Sequence, residues 1–171
     1  GFTGLAERMT GEALIDLIDE LFQGFDDLIA RCRGTKIKTI GDAYMVVFGA
    51  PAVYADHAAQ AIRAALEILK FLHDFNRRHD HAVQMRAGIH TGRVMAGVVG
   101  KERMQFDVFG DDVNIAARFE SSGLKGRVNV SHATYLAAKN LFDFEPRGEI
   151  ALKNKADMPA YFAAARKGNV P

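Results

Sequence analysis

Between Leu14 and Ile29 the apolar residues Leu14, Ile15, Leu17, Ile18, Leu21, Phe22, Phe25, Leu28 and Ile29 return every three or four positions, and Asp16, Asp19, Glu20, Asp26 and Asp27 fill most places between them. This is the period of an amphipathic α-helix with one buried face. Such a helix needs a second layer to cover its stripe. Gly34 is expected to close it. The next stretch changes period: Lys36-Ile-Lys-Thr-Ile40 and Ala43-Tyr-Met-Val-Val-Phe48 are β-rich runs on either side of Gly41-Asp42. They read as a hairpin with Asp42 at its tip, and Pro51 stops the second strand.

A second helix is predicted from an N-cap at Asp56 to about Arg78, through Ala59, Ile62, Leu66, Leu69 and Phe71. Apolar runs at Val83 to Ile89 and Val94 to Val99 follow, with Thr91-Gly92-Arg93 between them as a turn. Phe106 to Phe109 is a short strand. Gly110-Asp111 then opens a helix over Val113 to Ser121, with Asp111 as cap. Arg127 to Val130, Ser131 to Lys139, Phe142 to Ile150 and Met158 to Ala163 predict strand, helix, strand, strand. Helices and strands mix without strict βαβ alternation, so the expectation is an α+β fold on a largely antiparallel sheet.

The 171 residues suit one domain, with neither repeat nor linker. Twenty-two Lys and Arg against twenty-one Asp and Glu leave a net charge of +1, so composition gives no argument for nucleic-acid binding. A single cysteine, Cys32, cannot form an internal disulfide and points to a reducing compartment. No run reaches the ~18 apolar residues of a membrane span, so the domain itself is expected to make no membrane contact. The chain begins at Gly1 rather than Met, and the expectation is a piece of a longer protein.

Common nucleotide cradles are missing: there is neither G-x-x-x-x-G-K-[ST] nor G-x-G-x-x-G. The six histidines show no ligand spacing for zinc, and no G-x-S-x-G turn offers a nucleophilic serine. Isolated polar residues remain. Asp42 sits at a hairpin tip. Lys38 lies four residues earlier, on the same pleat face by alternation. Asp107 interrupts an apolar strand. Asn114 and Arg118 stand at i and i+4 on one helix. Taken singly, none of these points to chemistry: Asp42, Asn114 and Arg118 read more readily as solvated polar residues, and Asp107, Arg86 and Lys153 can be read so too.

Their order reads differently. Lys38-Thr-Ile-Gly-Asp42-Ala-Tyr-Met45, Met85-Arg-Ala-Gly-Ile-His-Thr-Gly92 and Phe106-Asp-Val-Phe-Gly-Asp-Asp-Val-Asn-Ile-Ala-Ala-Arg118 resemble the catalytic domain of class III nucleotidyl cyclases. Gly1-Phe-Thr3 and Arg147-Gly-Glu-Ile-Ala-Leu-Lys153 extend the resemblance across essentially the whole chain. It implies a ferredoxin-like, palm-type fold over residues 1–171, working as a dimer. It also implies conversion of a nucleoside triphosphate to a 3′,5′-cyclic nucleotide and pyrophosphate, with two divalent cations, Mg²⁺ or Mn²⁺, in each site.

Residue by residue, the resemblance assigns Asp42 to the metals. The family's other metal aspartate lies just before the Gly-Phe-Thr, on a strand expected upstream of Gly1. Gly1, Phe2 and Thr3 would cup the β- and γ-phosphates with their amides, and Arg86 and Lys153 would bind the polyphosphate. Asn114 would orient the ribose, and Arg118 would meet the charge developing on the α-phosphate. Lys38 and Asp107 fall at the base-reading positions. A lysine donating to a ring nitrogen and an aspartate accepting from the exocyclic amine match adenine, whereas guanylyl members look like Glu and Cys there. The expected activity is therefore adenylyl cyclase on ATP, in a head-to-tail homodimer with shared sites, on the cytoplasmic side. Guanylyl cyclase and a catalytically silent dimerisation or regulatory module are the alternatives.

Overall fold

The computed structural model describes residues 9–79, 82–102, 104–152 and 156–166. Helix α1, Gly11–Arg31, starts at Thr10, whose Oγ1 accepts the Ala13 N–H at 3.3 Å. Its buried face carries Leu17, Leu21, Phe25, Leu28 and Ile29, as the periodicity predicts. The helix ends differently from the expectation. Cys32 is the C-cap, Arg33 takes the left-handed turn at φ 60°, and Gly34 is already the first residue of a strand.

Strands β1, Gly34–Ile40, and β2, Ala43–Phe48, pair antiparallel with Ile40 opposite Ala43, leaving Gly41-Asp42 as a two-residue turn. Gly41 has φ +61° and Asp42 a negative φ, the pattern of a II′ hairpin turn. Lys36 faces Val46 and Lys38 faces Met45, so Ile37 is an extra, bulged residue. The pleat argument that placed Lys38 and Asp42 on one face fails, because β1 ends at Ile40 and Asp42 belongs to the turn.

Helix α2, His57–His79, follows Asp56 as expected; the Asp56 carbonyl accepts the Gln60 N–H at 3.0 Å. The predicted run from Val83 shortens to β3, Ala87–Ile89. Asn76 explains the loss. Its side chain accepts the Val83 N–H at 3.0 Å and donates to the Val83 carbonyl at 2.8 Å. The backbone there is satisfied without a ladder, and Val83 is buried against Leu17, Leu21, Leu72 and Phe75.

Strands β4, Met95–Val99, and β5, Gln105–Phe109, form a second antiparallel hairpin. Helix α3 covers Asp111–Ser121. Its N-cap is Gly110, with no side-chain cap, so Asp111 is the first helical residue rather than the cap. Strand β6, Val128–Ser131, leads into the short helix α4, His132–Ala138, and then into β7, Phe142–Ile150, and β8, Met158–Ala165. The central sheet has the order β3-β6-β8-β7; β3 and β6 are parallel and the other neighbours antiparallel. The largely antiparallel expectation holds.

Alternation along β6 separates the two faces of this sheet. Val128 and Val130 pack with Ile62 of α2, Ala138 of α4 and Ala163 of β8. Asn129 points the other way and donates to the Phe119 carbonyl of α3 at 2.7 Å. On that side Ile115 and Phe119 meet Ile150, Leu152 and Ala160. Phe75 and Phe119 have no exposed surface, and each such side chain contributes about 1.5–3 kcal/mol by burial. Helix α3 can lie this close because of Gly88 on β3: a Cβ there would come within 2.0 Å of the Glu120 nitrogen.

Candidate active site

Helix α3 sorts its residues by spacing. Ile115 and Phe119 turn inward, and Asn114 and Arg118, each one position earlier, lie on the exposed face as a pair one turn apart. Asp42 is exposed at the hairpin tip between β1 and β2. Arg86 precedes β3 and donates through Nε to Glu120 Oε1 at 2.9 Å, which ties it to the helix that carries Arg118. Sequence reasoning missed Glu120; its place two residues beyond Arg118 gave no signal, because the pairing spans 34 positions. Gly1, Phe2, Thr3 and Lys153 lie outside the described residues.

A close ion pair joins the two hairpins. Lys38 on β1 donates to Asp107 Oδ2 on β5 at 2.6 Å, across 69 positions of sequence. Gln105 Nε2 adds a bond to the Ile37 carbonyl at 3.2 Å. Asp107 is no surface strand residue. It is 7% exposed, and its second oxygen accepts the Val108 N–H at 2.8 Å. A buried carboxylate is tolerated when both oxygens have donors. The Lys38 hydrogen bond chiefly, and the Val108 amide after it, hold Asp107 below its ordinary pKa of 3.8 against the opposing effect of burial. Donor and acceptor thus stand side by side, both part-buried. Asp42 joins neither this pair nor the Arg86–Glu120 pair in any described contact.

Among the described residues no three His, Cys, Asp or Glu side chains gather into a metal cage. The donor chemistry at Asp42 nevertheless fits Mg²⁺ or Mn²⁺. These cations favour oxygen, keep several waters, and are commonly held by one or two carboxylates together with substrate phosphates. A solvent-facing carboxylate on a rigid turn can serve in that way. The described residues contain no helix long and apolar enough to cross a membrane.

Comparison with known proteins shows the family. The adenylate and guanylate cyclase catalytic domain family matches residues 1–165. A receptor-type guanylate cyclase of Caenorhabditis elegans, gcy-28, is 37% identical over 171 residues, covering 98% of this chain and 13% of that protein. Among solved structures, the guanylate cyclase domain of RhGC from Catenaria anguillulae in complex with GTP superimposes with a TM-score of 0.91 at 34% identity, covering 98% of this chain and 92% of that one. The adenylyl cyclase CyaB from P. aeruginosa gives 0.91 at 28% identity, covering 100% and 92%. A chain of this fold, with this hairpin and helix arrangement, is a class III nucleotidyl cyclase catalytic domain. It belongs to the adenylate and guanylate cyclase catalytic domain family.

Proposed function

We propose that this domain is an adenylyl cyclase that converts ATP to 3′,5′-cyclic AMP and pyrophosphate. One observation carries the choice of base: Lys38 and Asp107 lie 2.6 Å apart and offer one donor and one acceptor at adjacent points. Adenine presents the complement, a ring nitrogen that accepts beside an exocyclic amine that donates. Guanine presents a carbonyl where adenine has its amine, so the Asp107 carboxylate would face another acceptor with no hydrogen to share between them. Guanylyl cyclase is the competing reading, and the names of relatives such as gcy-28 favour it.

In the reaction the ribose 3′-hydroxyl gives up its proton to water and its oxygen forms a bond to the α-phosphorus; the bond from that phosphorus to the bridging oxygen breaks, and pyrophosphate departs with the electron pair. Divalent cations held by Asp42 and by phosphate oxygens would supply the Lewis acidity that lowers the 3′-hydroxyl pKa and offsets the leaving group's charge. Asn114 holds the ribose so that its 3′-oxygen faces phosphorus. Arg118 meets the growing charge on the α-phosphate. Arg86, Lys153 and the Gly1-Phe2-Thr3 amides bind the polyphosphate.

Two copies share each site in this reading, one supplying Asp42 and Arg86, the other Lys38, Asp107, Asn114, Arg118 and Lys153. The hairpin that carries Asp107 supports it: Met95, Val99 and Phe109 are exposed on one face of β4 and β5. A band of that kind suits a protein contact. The domain would work on the cytoplasmic side, where ATP is.

The test is kcat/KM for ATP and for GTP, with saturating Mn²⁺. Wild type is expected to prefer ATP. Lys38→Glu with Asp107→Cys should turn preference toward GTP by roughly 30-fold to 10⁴-fold, two mismatched polar contacts at about 1–3 kcal/mol each. A wild-type preference for GTP, or a double variant with an unchanged ratio, refutes the assignment.

A further inference from the structure

Helix α3 begins without a side-chain cap, yet it carries Asn114 and Arg118. Its first turn is fastened from outside. Asp112 accepts the Arg93 backbone N–H through Oδ2 at 2.7 Å and the His90 ring through Oδ1 at 3.0 Å. The His90 side chain is 5% exposed and lies parallel to the Phe119 ring. Its other nitrogen, Nδ1, is 2.8 Å from Ser131 Oγ. Gly92 makes this possible, since a Cβ there would sit 2.3 Å from the Asp112 carboxyl carbon.

The donors have one consistent direction. A carboxylate only accepts, so the hydrogen between His90 and Asp112 belongs to Nε2. In the neutral ring Nδ1 then accepts from the Ser131 hydroxyl, whose oxygen in turn accepts the Thr134 N–H as the α4 cap. Serine, histidine and aspartate in a row suggest a hydrolytic triad, but Ser131 has no exposed surface and its oxygen serves the helix cap. It cannot reach a substrate. What the chain of bonds does is bolt the start of α3 to the β3–β4 turn and to the end of β6.

We propose that His90 and Asp112 are positioning residues for the cyclase reaction: they fix the first turn of α3, and through it the places of Asn114 and Arg118. The proposal rests on the reading of those two residues as the ribose and α-phosphate contacts. A misplacement of about 1 Å costs on the order of 10²-fold in rate. Loosening this turn should therefore lower kcat while leaving nucleotide affinity to the polyphosphate and base contacts.

Asp112→Ala, Asp112→Asn and Asn114→Ala are measured in the full-length protein with ATP and saturating Mn²⁺, with amide hydrogen exchange followed along α3 without nucleotide. In Asp112→Ala kcat per folded molecule should fall about 10- to 100-fold with KM changed less than about 3-fold, and exchange should quicken over residues 112–115. Asp112→Asn should recover most of the rate. Its amide oxygen still accepts from Arg93, and its NH₂ can donate to Nε2 once the His90 hydrogen moves to Nδ1. A residue needed only for stability would lower Tm and leave kcat of the folded fraction intact, and that result overturns the proposal. So does unchanged exchange in Asp112→Ala, or an asparagine variant as slow as alanine. Full activity in Asn114→Ala refutes the site on α3, and this proposal with it; an inactive Asn114→Ala beside a fully active Asp112→Ala refutes the clamp alone.

Discussion

Asp107 shows how a buried carboxylate is held in place by two donors, the Lys38 ammonium and the Val108 N–H. Its folded pKa is lowered, so the stabilisation it brings is present above its ordinary value of 3.8 and is lost as pH falls through the lower folded value. Lys38→Met removes the principal cause. The difference in unfolding free energy between wild type and this variant should therefore be full near neutral pH and shrink toward zero in acid below pH 3.8. Urea titrations across that range measure it. A difference that stays constant into strong acid would show that the ion pair contributes nothing and that Lys38 acts through its packing alone.

At the scale of elements, the contact between α3 and β3 is the one most exposed to a small change. Gly88→Ala puts a methyl group 2.0 Å from the Glu120 nitrogen and 2.4 Å from the Phe119 carbonyl carbon. Backbone cannot step aside as a side chain can, so the helix must move. Overpacking of this kind costs about 1–3 kcal/mol, and the moved helix should carry Arg118 out of place. Gly97→Ala on β4 is the control, since nothing lies within 4 Å of a Cβ there, and its effect should stay within about 0.5 kcal/mol. Thermal unfolding with activity assays distinguishes the two. Equal stability for both variants would mean that the α3–β3 approach has slack that the structure does not show.

The elements that were legible in the sequence are those whose signal is local. The stripe of α1 and the run of β7 from Phe142 to Ile150 follow from periodicity, and the Gly41-Asp42 turn from its residue types. What escaped depended on distant partners. Val83 looked like a strand residue until Asn76 took its backbone bonds. Gly34 looked like a helix stop, although Arg33 adopts the left-handed conformation. Lys38, Arg86 and Asp107 stand out in the sequence one by one. Their contacts do not, because Lys38 with Asp107, Arg86 with Glu120 and His90 with Asp112 each join residues 22 or more positions apart.

For the whole molecule, the shared-site reading makes a prediction that no single protomer could satisfy. Asp42→Ala should abolish activity with little effect on stability, because an exposed turn carboxylate carries almost no packing. Arg118→Ala, also exposed, should do the same. Mixed together, the two inactive proteins should regain activity, since a heterodimer holds one site with both lesions and one with neither. Assays before and after mixing, with subunit exchange followed by a label, decide the matter. Exchange without recovered activity would rule out the division of residues between copies.

The unequal burial of Lys38 and Asp107 also gives the protein's history a direction. The Asp107 side chain is 10% exposed and that of Lys38 35%. A lineage that first replaces Asp107 leaves a lysine whose flexible stem can swing its charge into water. One that first replaces Lys38 strands a carboxylate in the interior, and with glutamate sets a second negative charge against it. The two substitutions are therefore not interchangeable in time. If the pair reads the base as proposed, a change of preference has an open road through position 107 and a barrier through position 38.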